Sequence, residues 1–171
     1  MKIPIVNKQD EVIGYKEREE TTREDIRRIV GLNVFNEKGE VLIAKRQTTK
    51  TIDPDKWGPA VAGTVDDGYD YDTTVVKEAE EEIGLTNIKP IFLKKMFYET
   101  YNARRFTAVY YVTINSLENA LTLQEEEVAE IKWINLSKLE KWFEEKPEDF
   151  IPSFARTLEN IKEIYAIKNQ S

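Results

Sequence analysis

The sequence predicts an α/β protein in which a mixed β-sheet lies between helices. Short apolar or alternating segments, which are typical of strands, interleave with three stretches of helical periodicity. The links between successive strands are short, which favours antiparallel neighbours within the sheet. The chain has 171 residues, of which 40% are hydrophobic, and this is enough for one domain with a sizeable core. We therefore expect a single domain over residues 1–171.

The first part of the chain predicts strands separated by polar turns. Two apolar segments on either side of a polar turn predict an N-terminal hairpin extension over 1–25. A glycine-containing turn at 36–40 joins the next two strands, and a polar loop follows at 47–56. We expect strands, in chain order, at 3–7, 11–19, a segment ending near 36, 41–46 and 57–65.

A helix is predicted to begin after the turn at 66–70 and to end at Ile83. Either Asp70 or Asp72 provides an N-cap, and Gly84 suits the residue that follows the last helical turn. Beyond it the pattern predicts strands at 88–100, 104–115 and 130–135 and helices at 136–145 and 153–169. The last helix has Ser153 as its cap and an apolar stripe that we expect to pack in the core, namely Phe154, Leu158, Ile161, Ile164 and Tyr165.

Composition excludes several classes of function. The chain contains no cysteine and no histidine, which excludes disulfides, thiolate nucleophiles, zinc–sulfur sites and Ser-His-Asp triads. The net charge of −7, without a basic stripe, argues against binding of duplex nucleic acid. No apolar run is long enough to span a membrane or to act as a signal peptide, and we expect a cytoplasmic protein.

The predicted helix ending at Ile83 carries acidic side chains on one face. At about 100° per residue, Glu78, Glu81 and Glu82 share a face roughly 100° wide, while Glu80 points away. Such an acidic run is most often a solvated surface. Here, however, the small-residue stretch at 62–68 precedes the helix and lets backbone approach a ligand closely. Three carboxylates facing that loop predict an oxygen-rich site for Mg²⁺ or Mn²⁺.

Residues 63–85, GTVDDGYDYDTTVVKEAEEEIGL, resemble the Nudix box, G-x5-E-x7-R-E-U-x-E-E-x-G-U, in which U is apolar. The chain is similar to the Nudix family over roughly 28–145. The resemblance implies a Nudix fold, an α/β/α sandwich, and hydrolysis of a small-molecule diphosphate, usually a nucleoside diphosphate derivative. It also implies that the metal ligands are Glu78, Glu81, Glu82 and the carbonyl of Ala62.

The family pattern suggests a further catalytic carboxylate in the acidic loop before Trp133. Glu127 is the first choice there, with Glu125 and Glu126 nearly as good. Either Glu82 or Glu127 would then serve as the general base. The cations expected to neutralise substrate phosphates are Lys45, Arg46, Arg104 and Arg105.

Two positions depart from the box: Tyr69 stands where the box has Glu, and Lys77 stands where it has Arg. An arginine makes bidentate contacts that lysine cannot make. Because both residues differ together, no charge is left without a counterpart. We interpret Tyr69 and Lys77 as a coupled pair that supports the metal ligands without binding the metal. Their departure also leaves open a non-catalytic nucleotide-binding or regulatory module on a Nudix scaffold.

The segment 27–65 also resembles the Nudix branch that contains type 1 isopentenyl-diphosphate isomerases. Those isomerases use a cysteine and a metal held partly by histidines, and this chain has neither residue. A hydrolase that needs only carboxylates and Mg²⁺ remains the prediction. The loops 47–56 and 98–105 are expected to contact the rest of the substrate. The sequence leaves the oligomeric state open, with a homodimer among the states it allows.

Overall fold

The computed structural model describes residues 1–101 and 103–170. Asn102, in the predicted link at 101–103, and Ser171, at the end of the predicted domain, lie outside the described residues. Within the described ranges, nine strands and three α-helices form the fold, in the order β1 Lys2–Val6, β2 Val12–Glu17, β3 Ile26–Phe35, β4 Val41–Arg46, β5 Trp57–Pro59, β6 Val61–Thr64, α1 Tyr71–Ile83, β7 Ile91–Glu99, β8 Arg104–Thr113, β9 Val128–Ile134, α2 Leu136–Glu145 and α3 Phe154–Lys168.

The sheet is mixed and is organised around β3. This strand pairs in parallel with β8 along its whole length, from Ile26 opposite Arg104 to Phe35 opposite Thr113. On its other edge β3 pairs antiparallel with β6, and its two ends touch β1 and β4. Strand β4 then pairs with β5 and β9, while β2 and β7 lie outside β1 and β8.

The two faces of the sheet are covered by different helices. Leu42 of β4 packs in a cluster with Ala79 and Ile83 of α1. Its neighbour Ile43 packs in a second cluster with Leu139 of α2 and residues of α3. Alternation along β4 therefore sends apolar side chains into two cores, as a sheet buried on both faces requires. The predicted α/β architecture with a mixed sheet is confirmed.

Helix α1 is fixed at both ends by the residues that the sequence indicates. The carboxylate of Asp70 accepts a hydrogen bond from the Thr73 amide at 2.8 Å and is the N-cap. Asp72 instead accepts a hydrogen bond from the Tyr110 hydroxyl at 2.6 Å. Gly84 has φ +67°, a left-handed conformation that favours glycine, and ends the helix. These features fix where α1 begins and ends, and the Asp72–Tyr110 hydrogen bond ties its first turn to β8.

The structure refines two of the expected elements. The predicted strand 57–65 is divided at Ala60, because β5 pairs with β4 whereas β6 pairs with β3. Ser153 precedes α3 as expected but makes no capping hydrogen bond through its side chain. The apolar stripe of α3 packs in the core as predicted, with Phe154 and Ile164 fully buried. Within the described ranges, no helix is long and apolar enough to cross a membrane.

Candidate active site

Gly63 lets the backbone of β6 lie directly against Glu78 of α1. A Cβ atom added at Gly63 would lie 2.3 Å from Cδ of Glu78, closer than side-chain atoms can approach. The Glu78 side chain is itself largely buried, with 15% of it exposed. Burial, followed by the charge of Glu81, raises the pKa of Glu78, whereas Lys77 lowers it. Glycine is therefore required at position 63 for Glu78 to reach its place.

Glu82 lies one helical turn further along and is tied to the same strand. Its Oε2 accepts a hydrogen bond from the Ala62 amide at 3.2 Å. Burial, and then the negative charge of Glu78, raise the pKa of Glu82 to about 8. In a strand, the N–H and C=O of one residue point toward the same edge, so the Ala62 carbonyl also faces α1. Glu82 and the Ala62 carbonyl thus offer oxygen atoms on the same side of β6.

These groups line a cavity of about 340 Å³, which we call the carboxylate cavity. It brings together all four glutamates predicted as catalytic or metal-binding residues, Glu78, Glu81, Glu82 and Glu127, and also contains Ala62 and Gly63. Cationic side chains share its lining, namely Arg18, Arg46, Lys50 and Lys77. The cavity therefore combines closely spaced carboxylates with positive charge, as a site for a metal ion and an anionic ligand requires.

Glu127 lies in this cavity, whereas Glu125 and Glu126 are not among its lining residues. The acidic loop is attached to the end of α1 through the Gln124 amide, which donates to the Glu82 carbonyl at 2.9 Å. Lys50 forms an ion pair with Glu127 at 2.6 Å. Of three neighbouring glutamates that the sequence ranked nearly equally, Glu127 is thus the one that shares the cavity with Glu82 and has a cationic partner.

Lys77 interacts with several acidic groups. Its Nζ lies 2.8 Å from Glu81, 3.5 Å from Glu78 and 3.7 Å from Asp66. The same Nζ is 5.8 Å from the centre of the Tyr69 ring, within the range of a cation–π contact. Lys77 therefore links Tyr69 to two of the predicted metal ligands. This arrangement is what coupling between positions 69 and 77 would require.

The donor chemistry of the cavity fits a hard divalent cation. Carboxylate and carbonyl oxygens dominate it, and such oxygens are the ligands that Mg²⁺ and Mn²⁺ prefer. Oδ1 of Asp66 is buried beside them and has no hydrogen-bond partner among the described residues. Within residues 1–101 and 103–170, no three acidic side chains are already grouped tightly enough to hold an ion. Glu81, which now contacts Lys77, would have to turn inward to complete the set.

Two of the expected substrate-binding cations lie elsewhere. Lys45 is paired with Asp55 at 2.7 Å and does not line the carboxylate cavity. Arg104 lies 3.2 Å from both Glu24 and Glu99 and is absent from its lining. The reason is strand alternation, because neighbours such as Arg104 and Arg105 point to opposite faces of the sheet. Arg46 lies in the cavity, and Arg105 lines an adjoining one.

Three charged residues that were not predicted from the sequence also line the carboxylate cavity, namely Asp66, Lys50 and Arg18. The place of Asp66 near the site could have been predicted, because this residue lies three positions after Gly63 in the turn that precedes α1. The places of Lys50 and Arg18 could not, since each comes from a polar segment whose position depends on tertiary contacts. Lys50 and Arg18 add positive charge to the site beside Arg46 and Lys77.

Comparison with known proteins agrees with this fold. Residues 25–154 match the model of the NUDIX domain. An uncharacterized Nudix hydrolase of Listeria innocua is 31% identical over 141 residues, which cover 82% of this chain and 78% of the relative. Another, of Streptomyces coelicolor, is 33% identical over 130 residues, which cover 74% and 70%. These matches extend well beyond the box itself.

Solved structures show the same fold at lower identity. DR0079 from Deinococcus radiodurans has a TM-score of 0.80 at 20% identity, covering 94% of this chain and 99% of that one. The NUDIX domain of Shewanella oneidensis NrtR, solved with ADP ribose, has a TM-score of 0.65 at 15% identity, covering 88% and 94%. The family match spans most of the chain and includes α1 and β6, and the chain therefore belongs to the Nudix family.

Proposed function

We propose that this protein is a Mg²⁺- or Mn²⁺-dependent pyrophosphohydrolase that cleaves the diphosphate of a nucleoside diphosphate derivative or a related small diphosphate. The observation that carries the proposal is the carboxylate cavity, in which four glutamates and four cationic side chains share one lining. Membership of a family of hydrolases supports the reaction class. The proposal places the chemistry at the junction of β6 and α1.

In this proposal Glu78, Glu81, Glu82 and the Ala62 carbonyl hold the ion. When bound, the ion supplies positive charge that polarises a phosphoryl group and makes a water molecule more acidic. The raised pKa of Glu82, to about 8, supports the assignment, because a nearby cation would be needed to keep this carboxylate ionised at neutral pH. Lys77 orients Glu81 and Glu78 from the outer side of the helix.

The remaining groups act on the substrate and on the proton. Arg46 and Lys50 neutralise phosphate oxygens, since both line the cavity. A phosphate that attracts Lys50 would release Glu127 from its present ion pair. Glu127 is then free to accept the proton of the attacking water, and Glu82 is the alternative base. Substrate binding and exposure of the base are thereby coupled through Lys50.

The experiment that tests this function is a phosphate-release assay over a panel of nucleoside diphosphate derivatives. We expect hydrolysis of at least one member with Mg²⁺ or Mn²⁺ and none when a chelator removes the metal. The readout is inorganic phosphate, after treatment with a phosphatase that acts only on the monophosphate products. Equal turnover in the presence of the chelator would contradict the proposed role of the glutamates.

The second candidate is a nucleotide-binding or regulatory module without catalysis. Tyr69 and Lys77, which replace the usual Glu and Arg of the box, favour it. The NUDIX domain of NrtR that binds ADP ribose shows that the fold accommodates a nucleotide ligand in another protein. Saturable nucleotide binding without phosphate release in the same panel would select this candidate.

We also propose that the chain belongs to the Nudix branch that contains type 1 isopentenyl-diphosphate isomerases, because residues 27–65 resemble that branch. The proposal does not include isomerisation. Moving a double bond in that branch relies on a cysteine and on a metal site built partly from histidines, and the sequence contains neither residue type. The carboxylate cavity supplies what diphosphate hydrolysis needs and lacks those two groups.

Tyr69 and Lys77 provide a test of how the site is supported. Lys77→Arg alone adds a planar guanidinium group without the glutamate that the box has at position 69. Tyr69→Glu alone adds a negative charge beside three glutamates. Each single change is expected to help little or to lower kcat/KM. The double variant restores the Arg–Glu combination and should exceed the sum of the single effects by about 0.5–3 kcal/mol, as for contacting residues.

The measurement is kcat/KM for the wild type, both single variants and the double variant on one accepted substrate at saturating Mg²⁺. The cation–π distance between Lys77 and Tyr69 is the structural basis for the expected coupling. Strict additivity would show that the two positions act independently. The interpretation of Tyr69 as a partner of Lys77 would then be abandoned.

A further inference from the structure

A second cavity of about 300 Å³ adjoins the carboxylate cavity across β6. A ligand can extend from one into the other, because the two share lining residues, namely Arg18, Arg46, Ile52, Ala62, Gly63 and Thr64. The second cavity contains none of the glutamates of the first. We call it the arginine cavity, because five arginines contribute to its lining, namely Arg18, Arg27, Arg46, Arg105 and Arg156.

The floor of the arginine cavity is one face of the β3–β8 pair. Arg27 lies opposite Arg105, and Ile29 lies opposite Thr107, in the parallel register. Gly31 lies further along β3, and a Cβ added there would meet no atom within 4 Å. The space above the strands is therefore open at its centre. The first turns of α3 form one wall, from which Arg156 points inward.

The positive charge in this cavity is only partly offset by the protein, since Asp25 acts on Arg27 and Arg46 also faces the carboxylate cavity that contains Glu82. Among residues 1–101 and 103–170, none of the five arginines that line the arginine cavity forms an ion pair with a carboxylate, in contrast to Arg23 and Arg104 nearby. Of the described residues that line the arginine cavity, Asp53 is the single acidic one. Like charges placed opposite each other on neighbouring strands are destabilising, so Arg27 beside Arg105 costs stability unless an anion lies between them.

Burial strengthens this argument. Arg27 and Arg105 are both half-buried. Desolvation lowers the pKa of each guanidinium, and neighbouring arginines lower it further. Arg156 is held in place by stacking on Tyr98, with its guanidinium carbon 4.0 Å from the ring centre. The arginines are therefore crowded, partly dehydrated and in part positioned in advance for a ligand.

Three polar atoms at the cavity also lack partners within the part of the chain that the structure describes. They are Nε of Arg27, Oδ1 of Asn33 and Oγ1 of Thr107. Asn33 is only 3% exposed, and a buried amide oxygen without a hydrogen bond is costly. The Arg27 nitrogen donates a hydrogen bond and therefore suits an anionic acceptor, whereas the Asn33 oxygen accepts one and suits a donor such as a hydroxyl. The cavity thus matches a group that carries both.

We propose that the arginine cavity binds a phosphorylated, hydroxyl-bearing group, such as a sugar phosphate, on the part of the substrate remote from the cleaved diphosphate. The preferred substrate class is then a diphosphate with an additional phosphoryl group. The inference rests on the proposed function only for the position of the diphosphate. Arg27, Arg105 and Arg156 hold the added phosphate, and Asn33 accepts a hydrogen bond from a hydroxyl.

The test is equilibrium binding by isothermal titration calorimetry in metal-free buffer, with two matched pairs of ligands. One pair is ADP and adenosine 3′-phosphate 5′-diphosphate, and the other is glucose 1-phosphate and glucose 1,6-bisphosphate. In at least one pair, the ligand with the added phosphate should bind about tenfold more tightly or better, since one charge-assisted hydrogen bond contributes roughly that factor. The pair that shows the preference distinguishes a nucleotide from a simple sugar.

The variants Arg27→Gln and Arg105→Gln should abolish this preference by weakening the binding of the ligand with the added phosphate more than that of the other member of the pair. Arg23→Gln is the matched control, because Arg23 pairs with Glu24 and Glu99 and does not line the cavity. Circular dichroism checks the fold of each variant. Gly31→Val keeps every charge and places a side chain in the open centre, so it should also remove the preference.

Equal affinities within both pairs would overturn the proposal. An equal loss of preference in Arg23→Gln would also overturn it, because the effect would then be one of overall charge. Hydrolysis is not measured in this experiment. A clear binding preference without phosphate release in the earlier assay would therefore reject the proposed hydrolase and leave the arginine cavity as a binding site.

Discussion

Replacing Glu82 by glutamine is expected to lower kcat by about 10²-fold or more, an effect comparable to losing a main electrostatic group in other enzymes. Glutamine has nearly the same shape, and its carbonyl oxygen still accepts the hydrogen bond that the Ala62 amide donates to Glu82. The change removes a negative charge from the centre of the carboxylate cavity. We expect the melting temperature to remain close to that of the wild type.

The matched control for this variant is Glu80→Gln. Glu80 belongs to the same helix and is exposed, and it does not line the carboxylate cavity. Both variants change the net charge of the chain equally. Turnover should therefore fall in Glu82→Gln and stay near the wild-type value in Glu80→Gln. Full turnover of Glu82→Gln at equal Mg²⁺ would show that the site has been assigned to the wrong residues.

Gly63→Ala is expected to reduce kcat/KM by a similar amount, although it changes no charge. The added methyl group would lie 2.3 Å from Cδ of Glu78, so the Glu78 side chain must move by at least 1 Å or β6 must shift. Misplacement of about 1 Å at a reacting centre can cost roughly 10²-fold in rate. The expected loss of activity comes from displacement of the Glu78 carboxylate, since no chemical group of the site is removed.

Gly14→Ala is the control for this prediction. Gly14 lies in β2, and a Cβ added there would have no atom within 4 Å. We expect this variant to retain its activity and its melting temperature. If Gly63→Ala were as active as Gly14→Ala on the same substrate, the close contact between β6 and Glu78 would have no part in catalysis, and the proposed geometry of the site would have to be revised.

Helical periodicity made the main part of the site predictable. The spacing of Glu78, Glu81 and Glu82 places them on one face of any regular helix. Gly84 indicated where that helix ends, and Asp70 or Asp72 where it begins. The resemblance to the box added Gly63 and Ala62, which the structure places against the helix. These features depend on local geometry, and local geometry can be read from sequence.

The substrate-binding cations could not be assigned in the same way. Arg104 and Arg105 are equivalent in sequence, and only the pairing of β8 with β3 decides which one faces a cavity. A shift of one residue in that pairing would exchange them. Arg27 lies beside Arg105 because two strands distant in the chain run parallel. Nothing in the local sequence of either strand indicates this contact.

The burial of Glu82 also could not be predicted from the sequence. The helical projection placed its carboxylate on the acidic face shared with Glu78 and Glu81, but it could not show that β6 and the loop at 121–128 pack against that end of α1. Burial beside Glu78 then raises its pKa to about 8. A carboxylate becomes chemically distinct here through its tertiary neighbours, while Glu80 on the same helix remains solvated.

Binding of Mn²⁺ followed by electron paramagnetic resonance, in the wild type and in Glu82→Gln, tests most directly whether the carboxylate cavity is a metal-dependent site. The wild type should remove free Mn²⁺ from solution in a saturable manner, Mg²⁺ should compete, and Glu80→Gln should behave like the wild type. Glu82→Gln should bind at least tenfold more weakly, as expected when one hard anionic ligand is lost. Equal Mn²⁺ affinity in the wild type and Glu82→Gln would contradict the account.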